Sequence, residues 1–198
     1  MAVTSYGSRH IRLVAESRRQ PLVASSVMAM LLFVIIEAML FAGMISAFTI
    51  IRSGAMIWPP PDQPRLPIEG TAINTAALLA SGLLLFVAHR RFRLDPERAR
   101  LPLLLSMLLG AFFVVFQGFE WVALIREDLT LTSSSMGSFF YLIVGTHALH
   151  AVAALGVLAY AWTRLQRGWL ASSQLIAAQV FWYFVVGMWP VIYLVVYL

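Results

Sequence analysis

The 198-residue chain contains no cysteine. That excludes disulfides, thiolate nucleophiles, thiolate metal ligands and cysteine-linked lipid anchors. Charge is also scarce: 12% of residues are charged, against roughly 25% in a soluble domain. Lysine is absent, so all fourteen basic residues are arginine, and the net charge is +5. These arginines fall in short segments between apolar runs, which marks topology and lipid-headgroup contact and excludes nucleic acid as a partner. The sequence lacks a Gly-rich phosphate loop, HExxH, GxSxG and Glu-x-x-His, and shows no internal repeat. It offers no catalytic constellation and no metal-ligand set.

Apolar residues make up 61% of the chain, in continuous runs of about twenty or more. Soluble folds of this size do not bury such runs, so the chain reads as an all-α integral membrane protein, a five-transmembrane-helix bundle. The spans fall at about 22–51, 68–88, 102–125, 136–161 and 170–197. Together they make one membrane domain, 21–198, behind a polar N-terminal segment, 1–20. The first run is too long for the 7–15-residue core of a signal peptide and is expected to remain as a span. Residues 52–67 hold five prolines, which forbid a helix and predict a stiff loop with Trp58 at headgroup level. The segment 89–101 predicts a basic loop, with Asp95-Pro96 as its turn. Pro190 predicts a bend in the last span. Eleven arginines lie on the side of the N-terminus and three (Arg52, Arg65, Arg126) on the other, which orients the chain N-in and C-out.

Four side chains inside the spans are costly in hydrocarbon: Glu37, Glu120, His147 and His150. A bundle that keeps them hides them from lipid, so they are expected to face one another in an internal polar network with Gln117 and Asn74. His147 and His150 are three residues apart and share a helix face. The plain structural reading has both imidazoles hydrogen-bonded inside the bundle. The carboxyl groups read either as hydrogen-bonding ties between helices or as part of a proton pathway. Asn74 and Thr75 read as bonds to a neighbouring helix. The small residues Ala38, Ala42, Gly43 and Ala47 leave room for close approach of another helix.

Several segments in order resemble subunit III of the haem-copper terminal oxidases, the cytochrome c oxidase type. They are Glu37-Ala38-Met39-Leu40-Phe41, Trp58-Pro59-Pro60, Asn74-Thr75 with Leu78 to His89, and Gln117-Gly118-Phe119-Glu120-Trp121. Ser138-Phe139-Phe140 and Gly145-Thr146-His147-Ala148-Leu149-His150 complete the set. The likeness runs from about residue 28 to the end and is similar to a short form lacking the family's two N-terminal helices. The resemblance implies a non-catalytic accessory subunit in the bacterial inner membrane, without haem or copper of its own; those cofactors belong to partner subunits. It implies packing on subunit I, with subunit II and further small subunits or a supercomplex nearby. It also implies phospholipid binding, protection of the complex during turnover and support of proton uptake. Trp58, Arg52, His89 and Arg90 are then lipid or interface residues. Tyr183 and Val186 depart from the histidine and aspartate common in the family's last helix. A solitary proton-coupled transporter or channel, an assembly factor, and a subunit III-like protein of a nitric oxide reductase or quinol oxidase are the alternatives.

Overall fold

The computed structural model describes residues 24–58, 60, 64 and 66–198. The segment 1–20, the first residues of span one, and Pro59 and Arg65 of the proline loop lie outside the described residues. Among the described residues there is no strand. Five helices are present, each long and apolar enough to cross a membrane. They are α1 (Ser25–Gly54), α2 (Ile68–Phe92), α3 (Pro96–Arg126), α4 (Ser135–Gln166) and α5 (Ser172–Ile192). A π-helical turn, Tyr193–Tyr197, continues α5. Helices are the form such sequences take because hydrocarbon supplies no partner for backbone N–H and C=O groups.

The helix ends follow local chemistry. The predicted basic loop at 89–101 is largely helical: α2 runs on to Phe92 and α3 begins at Pro96. Asp95 is the N-cap of α3, with its Oδ1 accepting from the Glu97 N–H at 3.0 Å, and Pro96 occupies the first turn, where a missing N–H costs nothing. The turn signal Asp95-Pro96 was therefore a helix start. Pro102, the expected first residue of span three, lies inside α3 instead. His89, Arg90 and Arg91 fill the last turn of α2, where cations complement the helix dipole. Ser134 caps α4 through the Gly137 N–H at 3.0 Å. Beyond α4, Gly168 adopts φ 72°, a left-handed conformation that suits glycine, and ends the helix as the Trp169 N–H returns to the Arg164 carbonyl at 2.9 Å.

Packing places α5 at the centre, against α1, α2 and α4. The α2–α3 pair has the most extensive contact, and α3 also packs on α4. Trp182 and Trp189 of α5 are fully buried, as are Phe113, Phe140, Leu78 and Leu85, and Trp189 packs edge-on against Phe113. Gly110 of α3 is required by this closeness, because a Cβ there would lie 2.5 Å from the Trp182 ring. The α1 helix is peripheral. It rests on α5 and α4 and presents Leu32, Ile36, Met39 and Ile50 outward. Ala42, Gly43 and Ala47 are exposed, and nothing lies within 4 Å of a Cβ built on Gly43, so no helix of the described chain uses that stripe.

Candidate functional site

The polar residues do not form one network. They form two clusters at different depths, with an isolated imidazole between them. The first cluster joins α1 to α4 near mid-span. His150 Nδ1 lies 2.7 Å from the Thr146 carbonyl on its own helix. A carbonyl only accepts, so Nδ1 carries a proton. On the other side of the ring, Nε2 lies 3.0 Å from Glu37 Oε2. That oxygen sits off the ring N–H direction, so the contact is an ion-pair approach rather than an aligned hydrogen bond, and Oε2 has no other partner. Four phenyl rings box the imidazole, those of Phe33, Phe41, Phe181 and Phe184, at centroid distances of 6.3, 5.6, 6.2 and 6.0 Å. The Glu37 side chain is 16% exposed and that of His150 10%, so the pair lies at the edge of the bundle beside the outward face of α1.

The second cluster ties α2, α3 and the π-helical turn at the end of the bundle where α3 finishes. Glu120 Oε2 accepts from Gln117 Nε2 at 2.9 Å, and the same nitrogen donates to the Tyr197 hydroxyl at 3.1 Å. The Thr71 hydroxyl is 3.0 Å from both Glu120 oxygens and 2.7 Å from the Pro67 carbonyl. Gly70 makes the room: a Cβ there would meet Glu120 Oε1 at 3.0 Å. Thr71 and Tyr197 were not singled out from the sequence. The signal for Tyr197 was its hydroxyl within an apolar span, which needs a partner when buried. Thr71 follows Pro67 by four residues and bonds back to its carbonyl, the usual behaviour of a helical threonine.

His147 lies between the clusters and joins neither. It is 1% exposed, and neither ring nitrogen has a hydrogen-bond partner. This corrects the expectation that both histidines are hydrogen-bonded. The ring is held by aromatic packing against Trp189 at 5.0 Å, Phe113 at 6.1 Å and Phe41 at 6.2 Å. Asn74 also stands apart, donating to the Phe113 carbonyl at 3.2 Å, and Thr75 accepts from Trp189 Nε1 at 2.8 Å. Both bond neighbouring helices, as their positions on α2 predict. Among the described residues, no three His, Asp or Glu side chains are grouped to hold a metal ion.

The interface residues separate to the two ends of the bundle. Arg52, in the last turn of α1, donates to the Val195 and Leu198 carbonyls at 2.9 and 3.0 Å. Its guanidinium lies 6.0 Å from the Trp58 ring centre, and Trp58 packs edge-on against Phe48 at 5.6 Å. Arg52 therefore ties the ends of α1 and the π-helical turn together. At the opposite end, Arg90 is exposed and stacks over Phe86 at 5.0 Å, while His89 is half-buried with Nδ1 unpartnered. In α5, Val186 packs on Gly82, and the Tyr183 hydroxyl accepts from Gln179 Nε2 at 3.3 Å. Apolar packing thus occupies the place where the family resemblance leads one to expect an acid.

Comparison with known proteins agrees with this architecture. A family model described as cytochrome c oxidase subunit III matches residues 16–198. The chain is similar to a probable cytochrome c oxidase subunit 3 of Nocardia farcinica, 30% identical over 168 residues that cover 81% of each chain. It is also similar to cytochrome c oxidase subunit 3 of Synechocystis sp., 28% identical over 84% of this chain and 72% of the relative. The subunit 3 of Loxodonta africana is 29% identical over 98% of this chain and 74% of the relative.

Proposed function

The chain belongs to the cytochrome c oxidase subunit III family, and from that premise we propose how it serves the respiratory oxidase of which it is a subunit. It is a non-catalytic accessory subunit in a bacterial inner membrane, oriented N-in and C-out. It packs on catalytic subunit I, binds phospholipid, stabilises the complex and supports proton uptake. Haem and copper reside in the partner subunits. The electron donor is cytochrome c, the donor in the names of its relatives.

The observation that carries this reading is the disposition of polar groups. Every polar side chain singled out inside the spans is absorbed by packing, by helix-to-helix hydrogen bonds or by the Glu37–His150 pair. None converges on a pocket suited to a substrate. Such an interior suits a supporting subunit, and its partly open acid–base pair suits proton handling at the edge of the bundle. The outward face of α1 is where a partner helix or lipid acyl chains would lie.

The test is to delete the chain from its host and to purify the remaining oxidase. Haem content and initial oxygen reduction should persist, while activity should decay faster with turnover and proton uptake should slow. Loss of all haem from the assembled remainder, or an oxidase unaffected over many turnovers, would contradict the reading.

A further inference from the structure

Glu37, Glu120, His147 and His150 bring two acids and two bases into one bundle, but the geometry pairs only one acid with one base. We propose that Glu37 and His150 form a one-proton site within the membrane, holding a single proton between Oε2 and Nε2. The proton handling proposed above then resides in this pair and not in Glu120; the inference rests on that reading for its role, though not for the existence of the site.

The proton count follows from the partners. His150 Nδ1–H is committed to the Thr146 carbonyl at 2.7 Å, so Nε2 is the nitrogen able to gain or lose a proton. Its neighbour at 3.0 Å is Glu37 Oε2, which has no other partner. Without a proton between them, a carboxylate would face the imidazole lone pair in a low-dielectric setting, and the pair would carry an uncompensated negative charge. With one proton the pair is neutral, either as carboxylic acid beside imidazole or as carboxylate beside imidazolium. Transfer breaks the Oε2–H bond, forms the Nε2–H bond and leaves the net charge unchanged. The terminal torsion of a glutamate is broad, so a small rotation of the carboxyl brings Oε2 onto the ring axis.

The surroundings isolate this proton. From α5 the pair meets Phe181 and Phe184, and from α1 it meets Phe33 and Phe41. His147 is the nearest other base, one turn away on α4, and it is enclosed by Trp189, Phe113 and Phe41. Glu120 has a different company: Thr71, Gln117 and the Tyr197 hydroxyl nearby, all neutral, and no base to take a proton. The 16% exposure of the Glu37 side chain places the pair at the outward edge of the bundle, whereas His147 at 1% is enclosed.

The experiment is nitrogen-15 histidine NMR on the full chain in lipid nanodiscs, with His150 assigned by loss of its signals in His150→Gln. The expected wild-type Nε2 resonance lies between the values of a bare and a fully protonated ring nitrogen. In Glu37→Gln it should move to the bare-nitrogen value, while Glu120→Gln leaves it in place. A wild-type Nε2 at the value of a ring nitrogen that neither carries nor accepts a proton would overturn the proposal without any variant. So would a Glu37→Gln spectrum unchanged from wild type, or a shift caused by Glu120→Gln. This readout needs no partner subunit. Failure of the oxidase reading therefore leaves it standing, and its own failure leaves membership of the complex untouched.

Discussion

Glu120 and Glu37 bring the same functional group into the same bundle, and their partners give them different work. Glu120 accepts from Gln117 on its own helix and contacts Thr71, which joins α3 to α2 through hydrogen bonds with uncharged partners. Replacing it with alanine removes its bonds to Gln117 and Thr71, which keep the Tyr197 hydroxyl and the Pro67 carbonyl as partners. Interhelical hydrogen bonds in membranes are worth about 0.6 kcal/mol on average and up to about 2. Glu120→Ala is therefore expected to lower unfolding stability by about 1–2 kcal/mol in a detergent or bicelle titration, with Glu120→Gln much closer to wild type. Equal stability of alanine and wild type would remove the tie from the account. At this scale the sequence was informative about cost and silent about partners. A carboxyl or imidazole in an apolar span announces itself, so Glu37, Glu120, His147 and His150 were all found. Which acid meets which base depends on helix rotation and depth, and no single-chain pattern encodes either. His147 shows the limit most clearly, since its spacing matches that of a hydrogen-bonded residue and its actual neighbours are aromatic rings.

The helices themselves were legible because apolar run length and the membrane thickness leave few alternatives. Their ends were not, because hydropathy reports where a span enters lipid, and helices continue past that point. Asp95 and Pro96 cap α3, so the α2–α3 connection shrinks to residues 93–95 and the two helices pack closely along their length. At the centre, Gly110 lets α3 meet Trp182 of α5. Gly110→Leu is expected to push these helices apart and cost several kcal/mol, as overpacking and lost burial add. The check is a fall in folded yield in detergent with no comparable loss for Gly43→Leu, whose site is open. Pro190 lies inside α5, and the π-helical turn begins three residues later. Arg52 holds that turn by its carbonyls. Arg52→Ala should free the end of α5, seen as faster amide hydrogen exchange confined to residues 193–198 and the last turn of α1. Uniform protection in the variant would show that packing alone secures this end.

For the whole molecule, the uneven burial of the helices matters most. α5 is enclosed by its neighbours, whereas α1 shows most of its length to the outside. Its exposed Ala42, Gly43 and Ala47 invite the close approach of a helix that the described chain does not supply. A partner helix covers such a surface when the chain is part of a larger membrane complex, and lipid acyl chains cover it when the chain is alone. The most direct measurement is purification of the tagged chain from its native membrane in gentle detergent, followed by native mass spectrometry and a visible spectrum of the same fraction. The expected result is a stoichiometric partner that carries haem, with the spectrum lost when the chain is stripped from that partner. A chain that travels alone and colourless, or that retains haem after separation, would contradict it.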